Sequence, residues 1–462
     1  MDSAMERASL FERRPKTTIT VVLLVIVVVL LGGLEIGLRL VAPMAIGTAG
    51  YVRSQNGLVY GWGFDPHQMV RVEDPDTGEV YLDRVNSRGW RDRERTFDNP
   101  SGAFRVLVMG DSNAFGYIVP GRALYNRVLE DRLRAEGYNA EVLIMGNAGW
   151  GTDQAFEALK REGLRYSPDL VVLHFSETDI HDNVYYRDPG KFGRRKPFYY
   201  EIDDSGALVR RVNERFEETR GRIKRQYVIA RSEILKRLWV LRTAFKHRGK
   251  PAYVIGPNQG TQLRFLLGED VAERLFGALG SAAKEGFDLA ALEAAIDAAG
   301  LGEHRTAITR IAENRHFHEH WFPAYYHQQH NDYDGAEWRL YFALVEAIRA
   351  AAEDSGAKLA ILSDNDIGHY DWDFAWYRIA PGDEAKARFL GVTGRLAAFA
   401  TDRGIGMVET VAPMTRARND AHPNIAGNAA IAENLYRYLM AHHGEALAAR
   451  RAAAQTDGAR GS

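Results

Sequence analysis

The 462-residue chain contains no cysteine, which excludes disulfides, a thiolate nucleophile and cysteine-ligated zinc, and leaves the compartment open. It also lacks a dominant charge: 59 Lys and Arg stand against 61 Asp and Glu, so bulk electrostatics give no reason to expect nucleic acid as a partner. Two glycine signatures are missing. The segment Gly146-Asn147-Ala148-Gly149-Trp150-Gly151 does not have the G-x-G-x-x-G spacing of a dinucleotide loop. Around Ser112, Ala114 stands where G-x-S-x-G needs its second glycine, so the ordinary α/β-hydrolase elbow is absent. What remains is a globular composition, 46% hydrophobic and 26% charged, with ample material for a core.

One long apolar run is present. Arg7, Arg13, Arg14 and Lys16 precede an uncharged stretch from Thr17 to Leu34, and Glu35 and Arg39 follow at helical spacing. The stretch approaches the length needed to cross a bilayer. Basic residues on its amino-terminal side place that end in the cytoplasm and everything after about Pro43 outside. A cleaved signal peptide is the rival reading, but the run is long for a signal core and no clear small-x-small cleavage site follows. The expectation is a single-pass inner-membrane anchor over 17–41, with a short cytoplasmic tail (1–16) and a periplasmic or extracellular body.

Residues 42–103 have no sustained period and read as a connector with short strands. It contains Asn86-Ser87-Arg88-Gly89-Trp90-Arg91-Asp92, a polar and basic stretch that is either a solvated turn or a packing element beside the site. From Phe104 the pattern becomes strand, loop, helix, repeated. The buried strands are expected at Phe104–Met109, Glu141–Met145, Asp169–Phe175, Lys358–Leu362 and Gly406–Glu409. Helices are expected at Arg122–Glu136, Thr152–Arg165, Trp338–Asp354, Asp383–Arg403 and Ile425–His442. This alternation predicts a three-layer α/β/α fold around a mainly parallel five-stranded sheet, split over 104–182 and 336–445.

Residues 183–335 interrupt the pattern and are too long for a loop, so a large, mostly helical insertion or lid is expected there. Within it Ile234, Leu238, Leu241 and Phe245 make a helix stripe with a basic opposite face. Those charges read as a solvated face, with contact to anionic lipid or an acidic polymer as the other possibility. His316, His318 and His320 alternate and would share a strand face, but no second ligand cluster accompanies them and no metal site is assigned. The tail 446–462 has little apolar content and is expected to be disordered.

Chemistry enters at Gly110-Asp111-Ser112, where the first apolar strand stops. Reacting groups of open α/β sheets gather beyond the carboxyl ends of the strands, so Ser112 is a candidate nucleophile; the bland alternative is a helix cap. A hydroxyl nucleophile needs a base, and the base needs a group to fix its tautomer. Asp420 and His422, two residues apart before the last helix, can supply both. The backbone N–H groups of Ser112 and Gly149 are candidate donors to a developing oxyanion.

These motifs resemble the SGNH, or GDSL, hydrolase family. The resemblance lies in Gly110-Asp111-Ser112, Asn147-Ala148-Gly149, the strand at 168–173 and Asp420-Ala421-His422-Pro423-Asn424. It extends to bacterial membrane-anchored members through the anchor exit at 34–39 and the stretch at 86–92. It implies Ser112 as nucleophile, His422 as base, Asp420 as orienting acid and Gly149 as oxyanion donor. One block departs from the pattern: Ser176-Glu177-Thr178-Asp179 stands where the family usually has Gly-x-Asn-Asp. Thr178 is left as a weaker oxyanion donor than the asparagine amide, with Asn183 or Asn113 as possible recruits. Glu177 would disfavour an oxyanion if it pointed inward.

The sequence thus points to a membrane-anchored serine esterase or O-acyltransferase, with acetyl the expected group, acting on an envelope or secreted glycan. Asn113, Asn147, Trp150 and Asp179 are the candidate substrate-binding residues; Trp150 is either a sugar platform or a packing residue. No cofactor or metal is expected. The expected partners are an acylated carbohydrate, the membrane and, for transfer, a membrane-bound acyl donor protein. The alternative is a catalytically weak or inactive relative that binds a glycan or an envelope assembly.

Overall fold

The structure is a computed structural model that describes residues 14–44, 56–176, 178–185, 196–217, 231–247, 267–313, 335–363, 394–411, 415–417 and 422–460, with isolated positions between 221 and 264. Helix α1 (Pro15–Val41) comes first, with no residue buried. Strands β1 (Met69–Glu73) and β2 (Val80–Arg84) form an antiparallel hairpin. Strand β3 (Phe104–Gly110) then leads into the four-residue helix α2 (Ser112–Phe115). Helix α3 (Tyr125–Ala135), β4 (Ala140–Gly146), α4 (Thr152–Arg161), β5 (Leu170–Phe175) and α5 (Thr178–Tyr185) follow.

The region after α5 opens with an antiparallel hairpin, β6 (Phe198–Ile202) and β7 (Leu208–Val212), which sequence reading did not anticipate. Helices α6 (Glu233–His247), α7 (Glu269–Leu279), α8 (Leu289–Ala298) and α9 (Arg305–Glu313) come next. Leu275, Leu292, Ile296, Ile308 and Ile311 give α7, α8 and α9 a hydrophobic cluster of their own. Helix α10 (Ala336–Asp354), β8 (Lys358–Ser363), α11 (394–403), β9 (Gly406–Val408) and α12 (Ile425–Arg460) complete the chain. The expected helix residues 383–393 and the histidines at 316, 318 and 320 lie outside the described residues.

Five strands pair in parallel in the order β4-β3-β5-β8-β9. Their apolar residues alternate between two helix layers. Leu107, Met109, Leu143, Met145, Val171 and Leu173 face α4 and α10, while Val106, Val108, Val142 and Val172 face α3 and α12. Both faces are covered, which is why these strands carry no polar alternation. The fold is therefore the three-layer α/β/α arrangement expected from the sequence.

Two expectations need correction. The last helix does not stop near His442: α12 continues to Arg460. The connector is also more than a link. Tyr60, Trp62 and Trp90 are buried in the same hydrophobic cluster as α4 and α10.

Candidate active site

The strand order gives the sheet a switch point beside β3. β3 has β4 on one side and β5 on the other, and the chain reverses its winding direction there. In such sheets the crevice opens beyond the carboxyl ends of the strands at this switch point. Ser112 follows β3 and Thr178 follows β5, so the structure brings both to the crevice.

Ser112 is the first residue of α2 and is 3% exposed. Asp111 forms the turn, its Oδ1 accepting from the Asn113 main-chain N–H at 2.8 Å. Ser112 Oγ donates to Asp111 Oδ2 at 3.4 Å, and it forms no hydrogen bond to His422 among the described residues. Asn113 is buried, and its Oδ1 has no hydrogen-bond partner among the described residues.

The carboxyl end of α2 is held by Arg91, a residue the sequence signalled only as part of the stretch 86–92. Its guanidinium is buried and donates to the carbonyls of Phe115 at 3.1 Å, Gly116, and Val119 at 2.5 Å. It also pairs with Asp83 on β2. A planar fork of five donors suits this crowd of oxygens, and the stretch therefore has the packing role rather than that of a solvated turn.

The loop after β4 forms the next wall. β4 ends close against the start of α2: a side chain on Gly146 would put its Cβ 2.8 Å from the Gly110 carbonyl oxygen. Asn147 Oδ1 accepts from the Ala148 N–H at 3.0 Å, and its carbonyl accepts from Trp150 N–H at 3.1 Å. Gly149 sits in the middle of this turn at φ +72°, a conformation that suits glycine. Asn147 is thus employed in shaping the loop.

Trp150 does not form a sugar platform. It is 1% exposed and packs edge-on to Trp90 at 5.7 Å and against Tyr60 at 5.1 Å. Its Nε1 donates to the Trp62 carbonyl at 3.3 Å, and Trp62 Nε1 donates in return to the Ala148 carbonyl at 2.9 Å. The connector, sixty residues or more earlier in the chain, supplies this aromatic lining. Local sequence around Trp150 could not reveal it.

Beyond β5, Thr178 Oγ1 donates to Asp111 Oδ2 at 3.3 Å and lies 3.1 Å from Ser176 Oγ. In this arrangement the Thr178 hydroxyl is within hydrogen-bond distance of both Asp111 and Ser176. Asp179 is 2% exposed, and its Oδ2 accepts from the Ser176 N–H at 3.2 Å. It closes the turn into α5. Glu177 lies outside the described residues.

Asn183 lies against Gly151, and its Oδ1 accepts from the Asp153 N–H at 3.0 Å. Its Nδ2 is buried without a hydrogen-bond partner among the described residues. Sequence reading also missed Lys196, whose fully buried ammonium pairs with Asp153 and donates to the carbonyls of Asp182 and Asn183, each at 3.0 Å. Burial pushes the Asp153 carboxyl upward, against the pull of Lys196. This ammonium ties the start of α4 to the last turn of α5, where helix carbonyls favour a cation.

His422 arrives from the far end of the chain and is 3% exposed. Its ring stacks on Tyr117 with centroids 4.6 Å apart, and the Tyr117 N–H donates to the Ser112 carbonyl at 3.3 Å. Tyr117 thus touches both segments, His422 through its ring and Ser112 through its main chain. Asn424 fixes this loop by accepting from Thr415 Oγ1 at 2.7 Å and the Gly427 N–H at 2.9 Å. Asn428 adds a bond from its Nδ2 to the Pro423 carbonyl at 3.1 Å. Asp420 lies outside the described residues.

No family model matches the chain, and no curated protein matches it. Among solved structures it is similar to TesA, at 13% identity over 72% of this chain and 97% of that one, with a TM-score of 0.30. It is similar to a GDSL-like lipase from Bacteroides thetaiotaomicron VPI-5482, at 11% identity over 74% and 90% of the two chains, with a TM-score of 0.28. It is also similar to the acetyl xylan esterase AlAXEase, at 12% identity over 72% and 98%, with a TM-score of 0.22. Likeness at this level leaves the chemistry to be read from the residues of the site.

Proposed function

We propose that the chain is a membrane-anchored, SGNH-type serine ester hydrolase or O-acyltransferase whose substrate is an acylated carbohydrate of the cell envelope or a secreted glycan. The observation that carries this reading is the position of Ser112 at the switch point of the sheet, with His422 stacked on the residue that bonds to the Ser112 carbonyl. In the reaction, Ser112 Oγ turns from Asp111 and attacks the acyl carbonyl while His422 takes its proton and Asp420 holds the imidazole. The N–H groups of Ser112 and Gly149 receive the oxyanion. The intermediate collapses by breaking the ester C–O bond, His422 giving its proton to the departing alcohol oxygen. Water or a sugar hydroxyl, deprotonated by His422, then attacks the acyl-Ser112 carbonyl, and the C–Oγ bond breaks as His422 returns the proton to Ser112 Oγ. For transfer, a membrane-bound acyl donor protein would load Ser112.

The body of the protein is assigned to the periplasmic or extracellular side of the inner membrane. Support comes from α1, which is apolar, unburied and long enough to span, with Lys16 and Arg14 at its amino-terminal end.

The test is acetate release by the full chain in detergent from acetylated xylan and 4-nitrophenyl acetate, beside Ser112→Ala and His422→Ala. Loss of release in both variants, with loss of fluorophosphonate labelling in each, is the expected result. Release that survives Ser112→Ala would overturn it. One observation favours a second reading, a weak or inactive glycan-binding relative: Thr178, at the usual oxyanion-donor position, has its hydroxyl directed to Asp111.

A further inference from the structure

Helix α6 begins where α1 ends its apolar run, and the two are joined by a dense set of bonds. Glu35 on α1 accepts from the main-chain N–H groups of Glu233 at 2.9 Å and Ile234 at 3.1 Å, and from Ser232 Oγ at 2.9 Å. It thereby satisfies the open amino end of α6, as a helix-capping carboxylate does. Arg39 donates to the Arg231 carbonyl at 2.5 Å. In return, Lys236 donates to the Met44 carbonyl at 2.7 Å, Arg237 donates to that of Ala42, and Glu233 accepts from the Met44 N–H at 2.9 Å. The origin of α6 is fixed to the anchor's exit by residues some two hundred positions apart in the chain.

From that fixed origin α6 carries an apolar face into the open. Leu238, Leu241 and Phe245, spaced three and four apart, are 56, 55 and 68% exposed. A soluble body has no reason to display such a stripe beside a spanning helix, whereas a bilayer surface would cover it. The flank is basic: Arg39, Arg84, Arg231 and Lys236 line a cleft of about 580 Å³ at the same place, against Asp65 and Glu233. Arg39 is paired with Glu35 and Lys236 with Glu233, which leaves Arg84 and Arg231 against Asp65, a positive balance that anionic headgroups complement.

We propose that α6 is a second membrane contact, an interfacial helix whose Leu238-Leu241-Phe245 face enters the acyl boundary beside α1 while the basic cleft meets anionic phospholipid headgroups. The proposal rests on reading α1 as the membrane anchor. Its role follows from the bonding at Glu35. A body hung from one spanning helix can swing, whereas one also seated on α6 is held at a set height and orientation over the surface.

The absence of cysteine makes the test clean, because one introduced thiol is the only labelling site. Leu238→Cys, Leu241→Cys and Phe245→Cys are made singly in the full chain, carry a nitroxide, and are placed in nanodiscs containing phosphatidylglycerol. Val25→Cys serves as the bilayer reference and Ser205→Cys, at the exposed β6–β7 turn, as the aqueous one. The expected result is that oxygen outcompetes a water-soluble nickel chelate as collision partner at 241 and 245, as at 25, and the reverse at 205. The ratio at 245 is expected to fall about twofold when phosphatidylcholine replaces phosphatidylglycerol. If 241 and 245 behave like 205 while 25 reads as acyl phase, α6 is not a membrane contact and the anchor stands. If 25 also reads as aqueous, the anchor reading fails. Low collision with both partners at 241 and 245 would overturn the proposal in favour of a protein cover, and a ratio unchanged by lipid charge would remove its headgroup half.

Discussion

Thr178 Oγ1 donates its proton to Asp111 Oδ2, the same carboxylate oxygen that accepts from Ser112 Oγ. One carboxylate thus joins the end of β3 to the start of α5 and holds the candidate nucleophile in a resting orientation. Replacing Thr178 by asparagine supplies two donor protons where there was one. One can remain on Asp111 while the other faces the crevice. The expected outcome is a rise in Ser112-dependent kcat on 4-nitrophenyl acetate of about a hundredfold, the lower end of the range by which single oxyanion donors act. A kcat unchanged or lowered by Thr178→Asn would show that a donor at position 178 does not limit the reaction.

Arg91 meets three carbonyls and Asp83 with a single buried fork. A lysine in its place keeps the charge and loses the geometry. Arg91→Lys is expected to lower stability by about 3 kcal/mol in urea unfolding, because buried carbonyls lose charged donors. It is also expected to lower kcat more than KM, since α2 carries Ser112. A variant with full stability and activity would contradict this.

Trp150 separates packing from sugar binding. Trp150→Ala leaves a hole among Tyr60, Trp62 and Trp90 and is expected to cost about 3–5 kcal/mol in urea unfolding. A substrate platform would instead show an intact unfolding midpoint and a raised KM for a polymeric substrate.

Glu157 on α4 predicts an acid limb. Burial acts to raise its carboxyl, but hydrogen bonds from Lys160 and Tyr200, with the charges of Lys160 and Arg210, outweigh it and take the value from 4.5 to about 2. The folded value lies below the unfolded one, so this stabilisation is complete above the unfolded pKa and is lost as pH falls through the folded one. Tyr200 and Arg210 belong to the β6–β7 hairpin, which should therefore loosen from α4 between about pH 4.5 and 2. Hydrogen exchange of the hairpin amides reads this directly. Glu157→Gln should make their protection lower and flatter across that range.

The sheet was legible because β3, β4, β5 and β8 are buried on both faces, and sequence shows that condition as unbroken apolar runs. Ser112 was legible for the same reason: the run stops at Gly110. His422 stood out by its spacing within a motif, and Asn424 now has a physical task there as the loop's cap. Contacts between distant segments were not legible. Nothing near Trp150 encodes Trp62, nothing near Glu35 encodes the amino end of α6, and Lys196 carries no local pattern that announces Asp153. Thr178 was noticed as an odd residue, but its hydrogen-bond partner depends on how two strand ends meet.

β5 and β8 are paired neighbours, with His174 opposite Leu362, so all of the chain between them amounts to one strand-to-strand crossover. This has a kinetic meaning. β4, β3 and β5 can find one another over short separations, while β8 and β9 must wait for a far longer loop to close. The thermodynamic penalty grows only logarithmically: lengthening an ordinary crossover to this one is roughly three doublings, about 2 kcal/mol. The half of the sheet bearing Ser112 is therefore the half expected to assemble first. The half leading to His422 joins late, so that the two candidate site residues meet only when folding is nearly finished.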